Sequence, residues 1–521
     1  MLRRLARRDA PALPSPAVAL SMATNATLPS GHLDDLGVEE IRAHLCVEMA
    51  RIATSDVDEA PTTLDAFAKL RRKHFFAFRK AWTIDPDTEW NTLFGFTVSN
   101  ALGAGAFGRV YRAFRSDGGG EQIAIKVLDE RVLDDVLYLA AFRRGVYALR
   151  MLSERRVPGV VGFSEAHEAP ACVAMELVDG RNLEEAFRDG LVSLGIDRLR
   201  IVLQVARIVL AAHSTPEGVI HRDVKPANVM LRGYDPVDGD LASRICLVDF
   251  DLCWHQQALA STISFGAAAT MGYAAPEFFD KALGSTRVAS VDVFGLSMLL
   301  YYCLVGSHPK PGESHLPNFR MDIRKLLTRR RLFKWPAVAW QISDVLADCG
   351  ARKPLDRYSV PMFISALEAA MNAEMGDDSD SGRRMFLRQL ACDTFELLDK
   401  EASFEWHIEG GVDCLVLPGT SKSCSFSAES LRNGFRARCE MVLNKKAGGF
   451  HGGAGQEKRD RAIQERIFRQ FASAGEPIPG WVISGEERRL DARRDFEPVA
   501  RAGLEAWASC LAFAWRELDK N

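Results

Sequence analysis

Three glycines in Leu102-Gly-Ala-Gly-Ala-Phe-Gly-Arg-Val-Tyr constrain this chain more than any other feature, because a strand pattern and not a helix comes directly after them. Gly103, Gly105 and Gly108 have the spacing of a phosphate-cradling loop. Without side chains the backbone there can approach an anion and offer it N–H groups. A dinucleotide site uses the same spacing but needs a helix straight after the glycines. Here Val110 and Tyr111 open a second strand pattern instead, and Phe94-Gly-Phe-Thr-Val supplies one before the loop. The loop is therefore expected to fold back over a nucleotide between two strands, not to form a Rossmann turn.

Around that loop the chain divides by texture. Residues 1–31 lack periodicity and are expected to be a disordered tail. The start, Met1-Leu-Arg-Arg-Leu-Ala-Arg-Arg, resembles a transit peptide, against which stand Asp9 and the prolines at 11, 14 and 16. Residues 32–93 carry two amphipathic patterns, Leu36 to Ile52 and Thr63 to Trp82, the first with a Leu36, Ile41, Leu45, Met49 stripe. Residues 94–375 begin with β-branched and aromatic alternation, including Arg109 to Phe114 and Gln122 to Leu128, and turn helical beyond about 190. A β-rich front and a helical back predict an α+β fold of two lobes. Residues 376–384 contain an acidic linker, and 385–521 are long enough for a C-terminal α/β domain of their own.

Composition excludes several classes. Hydrophobic residues at 47% and charged residues at 26% are near globular averages, so a disordered or fibrous chain is ruled out. With 66 basic against 69 acidic residues, no global charge draws the chain to nucleic acid or a membrane surface. The apolar stretch Leu296 to Val305 is far short of the roughly 20 residues a bilayer span needs. The 11 cysteines include no Cys-x-x-Cys pair, which disfavours a zinc ribbon and suits a reducing compartment. The expected location is intracellular, cytoplasmic or nuclear, with organellar targeting left open.

The residues with chemical potential come in order along 94–375. Lys126 stands mid-strand in Ala124-Ile-Lys-Val, where a lysine is costly unless it meets an anion or points to water. In His221-Arg-Asp-Val-Lys-Pro-Ala-Asn, Asp223 can accept a hydroxyl proton, Lys225 can neutralise a phosphoryl group and Asn228 can hold a metal. Asp249 follows an apolar strand in Leu247-Val-Asp-Phe-Asp and can ligate Mg²⁺.

This set resembles the eukaryotic-type protein kinase domain of the serine/threonine subgroup, over slightly more than half the chain. Met271-Gly-Tyr-Ala-Ala-Pro-Glu277 resembles its Ala-Pro-Glu segment, and Asp292 begins its large central helix. Arg357 matches the arginine that pairs with that glutamate, Glu277. The resemblance implies a protein kinase using ATP and Mg²⁺ on a protein substrate. Leu102, Gly103, Gly105, Gly108 and Lys126 would lie on the phosphates, with Asn228 and Asp249 on the metal. Val110, Ala124 and Met230 would sandwich adenine, and backbone groups near Glu176 and Val178 would meet its edge. Asp223, Lys225 and Lys126 would be catalytic. Lys225 with Thr270 matches the serine/threonine subgroup, and Arg222 implies control by a phosphate on the activation segment, at Ser261, Thr262 or Ser264.

Two positions depart from the family. The helix after Lys126 should carry a glutamate that pairs with it, and Gly145 stands there; Glu130, Asp134 and Asp135 come too early. Asp251 replaces the glycine of Asp-Phe-Gly. Restoring the acid with Gly145→Glu is expected to raise phosphoryl transfer about tenfold, unless another acid, with Asp251 leading, already serves Lys126. These departures leave open a pseudokinase scaffold that binds nucleotide and partners without efficient catalysis.

Beyond residue 385 the pattern is a helix at Met385 to Leu398 and a hairpin around Gly410-Gly411. A strand at Ala437 to Leu443, a basic helix at Gln456 to Phe471 and a strand at Trp481 to Ser484 come after them. That order is similar to the core of PD-(D/E)xK nucleases, with Asp413 and Glu440 at its acidic positions. The lysine expected two residues after Glu440 is Val442, so cleavage is not expected. Lys458, Arg459, Arg461, Arg466 and Arg469 make a nucleic-acid patch or a solvated face.

Overall fold

A computed structural model of the chain describes residues 33–53, 61–87, 91–105, 107–116, 120–134, 136–192, 195–233, 244–256, 270–333 and 336–375. It also describes 387–388, 390–391, 393–395, 405–409, 412–417, 422–431, 434–444, 454–484, 487–496 and 501–518. The expected tail, the linker at 376–384, the Gly410-Gly411 turn and the three activation-segment hydroxyls lie outside these residues.

The front of the chain is one six-stranded antiparallel sheet. Its strands are β1 (Thr92–Leu93), β2 (Phe96–Ala104), β3 (Gly108–Arg115), β4 (Gln122–Leu128), β5 (Phe163–Glu168) and β6 (Ala171–Glu176), in the order 1-2-3-4-6-5. Alternation sorts β4: Ile123, Ile125 and Val127 pack with Val98, Tyr111, Cys172 and Ala174, which leaves Ala124 and Lys126 on the opposite face.

Three helices precede the sheet: α1 (Val38–Ala53), α2 (Pro61–Lys73) and α3 (Phe75–Trp82). The second amphipathic pattern is thus two helices, broken at His74, whose φ of −120° and ψ of 41° are not helical. No glycine or proline marks that break. Ile41, Leu45 and Met49 are fully buried, and with Phe67, Phe78 and Trp82 they join the cluster that holds Leu139, Phe142 and Leu149 of α4 (Val136–Glu154). Burying each such side chain is worth roughly 1.5–3 kcal/mol. Arg42 is buried among them and bonds the carbonyls of Ala81, Thr83 and Thr92 at 3.0, 3.1 and 2.7 Å. The helical extension therefore packs on α4 through α2 and on β5 through α1.

The back of the chain is helical. It contains α5 (Leu183–Arg188), α6 (Gly195–His213), α7 (Ser290–Val305), α8 (Phe319–Arg330), α9 (Pro336–Cys349) and α10 (Val360–Met375). A small sheet is formed by β7 (Gly180–Asn182), β8 (Val229–Arg232) and β9 (Ile245–Leu247), all of which precede α7 in the chain. Every residue of α7 from Val291 to Val305 is buried, as its near-continuous apolar run requires. Asp292 is the one acid in that run. The helix stops at Gly306, which takes the left-handed conformation (φ 74°) that favours glycine.

A second six-stranded antiparallel sheet lies further along the chain. Its strands are β10 (Glu405–Glu409), β11 (Val412–Leu417), β12 (Lys422–Leu431), β13 (Gly434–Asn444), β14 (Gly480–Ser484) and β15 (Glu487–Phe496), in the order 10-11-12-13-15-14. Helices α11 (Ala454–Ser473) and α12 (Arg501–Leu518) contribute Ile463, Ile467, Phe471, Trp507 and Leu511 to its core. The nuclease-like order is corrected here. β12, β15 and α12 are additional, and all strand pairs are antiparallel. Serines in β12 and charges in β15 hide them from an apolar-pattern search. On the exposed face those charges pair across strands, Arg438 with Asp491 at 2.9 Å and Arg436 with Asp495 at 2.8 Å. Glu440 is ion-paired to Arg489 at 3.0 Å, and Arg466 of the basic helix to Glu517 at 2.7 Å.

Candidate active site

The glycine loop joins β2 to β3 as expected. A Cβ at Gly103 or Gly105 would meet no protein atom, so packing within the chain does not require glycine at either position. Gly108 differs: a Cβ there would overlap the Val127 carbonyl oxygen, so its glycine is needed for the β3–β4 pairing. Val110 pairs directly with Lys126 across that ladder, and Ala124 shares the lysine's face. Leu102 is exposed, while Met230, Val178 and Met175 are half-buried against the cluster that holds α4. The backbone N–H of Glu176 is taken by the Gly162 carbonyl at 2.8 Å, and its carboxylate is ion-paired with Arg232.

Lys126 meets two acids. Its ammonium donates a hydrogen bond to Asp249 Oδ1 at 2.7 Å and forms an ion pair with Asp251 Oδ2 at 2.6 Å. Burial works against the lysine's charge, but the two carboxylates outweigh it and hold its pKa above the usual lysine range. Burial likewise opposes the charge on Asp249, yet Lys126 keeps that carboxyl below its ordinary value. Burial pushes Asp251 up to about 6, with Lys126 pulling against it and Asp249 adding to it. Asp249 holds a left-handed backbone (φ 68°), which aspartate tolerates better than most residues.

Helix α4 explains the missing glutamate. Gly145 faces the Asp-Phe-Asp segment so closely that a Cβ would lie 2.9 Å from the Phe250 carbonyl oxygen and 3.1 Å from the Asp251 Cα. Arg144 Nε donates to the Cys253 carbonyl at 3.0 Å and fastens the same helix face to the same segment. The expectation that Gly145→Glu would raise activity is therefore corrected: the new side chain has backbone, which yields little, in its way.

The residues of the His221–Asn228 stretch converge on Asp223. Asp223 is buried and accepts from Lys225 Nζ at 2.7 Å, Thr270 Oγ1 at 3.0 Å and Asn228 Nδ2 at 3.1 Å. Lys225 also donates to Thr270 at 2.8 Å. The Asp249 carboxylate and the amide oxygen of Asn228 are hard oxygen donors of the kind magnesium takes, so these two residues suit that ion.

Asp292 organises the loop from below. It accepts from the backbone N–H groups of His221 at 2.8 Å and Arg222 at 2.7 Å, and its Oδ2 lies 2.7 Å from His213 Nε2. Burial raises its pKa, but His213, His221 and the backbone donors outweigh that and keep it ionised below the ordinary carboxylate range. The motifs place Asp292 at a helix start without giving it a role, and they leave His213 out altogether. An acid inside an apolar run is the sequence signal for Asp292; His213 carries none. Arg222 is buried, stacks over Phe278 at 5.0 Å and donates to Thr286 at 3.1 Å. Burial and the neighbouring Arg144 lower its pKa to about 10.

His255 seats α4 against this region, its ring 4.8 Å from that of Tyr147. Burial first, then Arg144, lowers its pKa to about 4, against Glu217. The unfolded chain therefore binds a proton that the folded chain refuses, and stability is lost as pH falls from about 6.5 to about 4. The loss is on the order of 3 kcal/mol at most. His255→Phe is expected to flatten this acid limb in urea titrations at several pH values; an unchanged limb refutes the assignment.

Comparison with known proteins covers the same part of the chain. A family model described as "Protein kinase domain" matches residues 96–368. Serine/threonine-protein kinase PkaA of Streptomyces coelicolor is 29% identical over 282 residues, 52% of this chain and 49% of that protein. Serine/threonine-protein kinase PknF of Mycobacterium tuberculosis is 31% identical over 227 residues, 43% of this chain and 45% of its own length. The M. tuberculosis PknI kinase domain, a crystal structure, is 24% identical with a TM-score of 0.40, covering 55% of this chain and 99% of that one. The chain spans about half the length of the curated relatives it matches.

Proposed function

This chain belongs to the protein kinase domain family, and from that premise we propose that it transfers the γ-phosphoryl group of ATP to a serine or threonine hydroxyl of a protein. The observation that carries the reading is the cluster on Asp223, where Lys225, Thr270 and Asn228 all donate to one carboxylate. Asp223 accepts the proton of the substrate hydroxyl as its oxygen attacks the γ-phosphorus and the bond to the β-phosphate oxygen breaks, leaving ADP. Lys225 offsets charge on the moving phosphoryl group. Lys126 and the glycine loop hold the phosphates, while Val110, Ala124, Met230 and the Glu176–Val178 backbone take the base. Asn228 and Asp249 would hold magnesium, which supplies positive charge to the phosphate oxygens. The lysine–threonine pair on Asp223 supports the serine/threonine subgroup, as do the names of the relatives.

Residues 376–384 are then a linker between the kinase domain, 94–375, and an additional C-terminal α/β domain at 385–521. That domain's separate core supports the division. The antiparallel sheet and the ion-paired Glu440 give no support to a nuclease site. Buried Arg222, close to Arg144, supports control by a phosphate on the activation segment. Among the described residues no helix is long and apolar enough to cross a membrane.

The test is incorporation of labelled γ-phosphate by the full chain, into itself or an added protein, with the label recovered on serine or threonine. Label on tyrosine alone would refute the subgroup. Saturating ATP with Mg²⁺ should also raise the melting temperature, since a ligand at 100 times its Kd stabilises by about 2.7 kcal/mol. Lys126→Ala should remove most of that shift, and an unmoved melting curve for the unaltered chain would mean that the nucleotide site as described is wrong.

A further inference from the structure

The Asp-Phe-Asp segment and the Gly145 face of α4 fit each other too closely to be independent departures. Lys126 touches Oδ2 of Asp251, a residue only 6% exposed, at 2.6 Å. Gly145 admits the backbone of Phe250 and Asp251 to a distance that a Cβ would forbid. Arg144 holds Cys253, two residues further on, by a 3.0 Å hydrogen bond to its carbonyl, and Cys253 returns its Sγ to the Arg144 carbonyl at 3.8 Å. Helix α2 of the extension packs on α4, in the same core cluster that holds Phe250, Leu252 and Cys253 of the segment.

We propose that Asp251 is the positioning residue for Lys126, replacing a helix-borne glutamate, and that Gly145 is the complementary change that admits it. The carboxylate has moved from the helix to the segment, and the helix has lost its side chain to make room. Asp249 also contacts the lysine, but Asp249 is the acid suited to the metal, so Asp251 is the carboxylate that can stay with the ammonium. A glycine at 251 would leave Lys126 without a second partner, because Glu130 is bound up near Arg71 and α4 offers no acid facing the segment. This inference rests on the nucleotide site proposed above and goes beyond it, since nothing in the family motif assigns the role to this position.

The test measures ATP affinity by titration with Mg²⁺ present, alongside KM for ATP, kcat and the melting temperature of the ligand-free chain. Asp251→Asn and Asp251→Gly should each weaken ATP binding and raise KM about ten- to hundredfold, the size of a lost charge-assisted contact. In Asp251→Asn, Lys126 keeps Asp249 at 2.7 Å, so the ligand-free melting temperature should stay near that of the unaltered chain. Gly145→Glu alone should also lose affinity. The double variant Gly145→Glu/Asp251→Gly returns the acid to the helix and frees the segment backbone to shift, so it should regain most of the loss. ATP bound by Asp251→Asn as tightly as by the unaltered chain would overturn the proposal. So would a loss that tracks a lowered melting temperature and is not regained in the double variant, which would make Asp251 a packing residue only. If the unaltered chain binds ATP through Asp251 yet transfers no phosphate, the kinase reading falls and this one stands.

Discussion

Asp223→Asn is expected to slow phosphoryl transfer by about 10²- to 10⁴-fold, the range spanned by removal of a general base. The asparagine has the same shape, so the loop should keep its course. His221 and Arg222 stay anchored through their backbone N–H groups to Asp292, not through Asp223. What changes is the acceptor. Asp223 receives three side-chain donors at 2.7–3.1 Å and, as a carboxylate, retains lone pairs for a substrate hydroxyl. An amide puts an NH2 group in place of one carboxylate oxygen, either toward the Lys225 and Asn228 donors on Oδ2 or toward Thr270 on Oδ1, and it cannot take the proton. Stabilisation by ATP with Mg²⁺ should persist, since Lys126 and Asp249 are untouched. Labelled-phosphate incorporation at saturating ATP measures the loss, and retention of more than about a tenth of the rate would remove Asp223 from the role of base.

The proposed catalytic site is legible in the sequence because its residues run in short stretches. Asp223, Lys225 and Asn228 lie within six residues, and each is a residue type that few positions in a fold can use at that spacing. The Glu277–Arg357 pair, 80 residues apart, is legible only through the family resemblance. Other features depend on tertiary contact with no local mark. His213 reaches Asp292 from 79 positions away, and nothing in its helical surroundings distinguishes it from a surface histidine. Gly145 reads as a defect because a sequence shows the missing carboxylate and not the Phe250 carbonyl that excludes it. In the C-terminal region, β15 (Glu-Arg-Arg-Leu-Asp-Ala-Arg-Arg-Asp-Phe) buries Arg488, Leu490 and Ala492 on one face, with Arg488 paired to Asp460, and pairs Asp491 with Arg438 and Arg493 on the other. Apolar residues at alternate positions are too few there to announce a strand, so partners across the sheet, not local pattern, determine it.

The largest stability effect is expected at Arg357. Its guanidinium and the Glu277 carboxylate are both fully buried and meet as a parallel pair of bonds at 2.7 and 2.8 Å. The same guanidinium donates to the carbonyls of Ala351, Ser290 and Arg352 at 2.8, 3.0 and 3.1 Å. Whether such a pair stabilises more than a well-packed apolar substitute is a separate matter, because both ions lost water to get there. Breaking it is unambiguous: Arg357→Ala leaves Glu277 buried without its partner, at a cost of about 3–5 kcal/mol. Arg357→Lys should recover little, because one ammonium cannot reproduce the planar fork that serves two oxygens and three carbonyls. The effect should reach the catalytic loop as well. Ser290, held through its carbonyl, starts α7 two residues before Asp292, and Asp292 fixes the backbone of His221 and Arg222. Denaturant unfolding should therefore show the midpoint falling in Arg357→Ala, and hydrogen exchange should show the 221–222 amides losing protection with it. A stability loss under about 1 kcal/mol would mean that water reaches this pair, against the complete burial seen for both side chains.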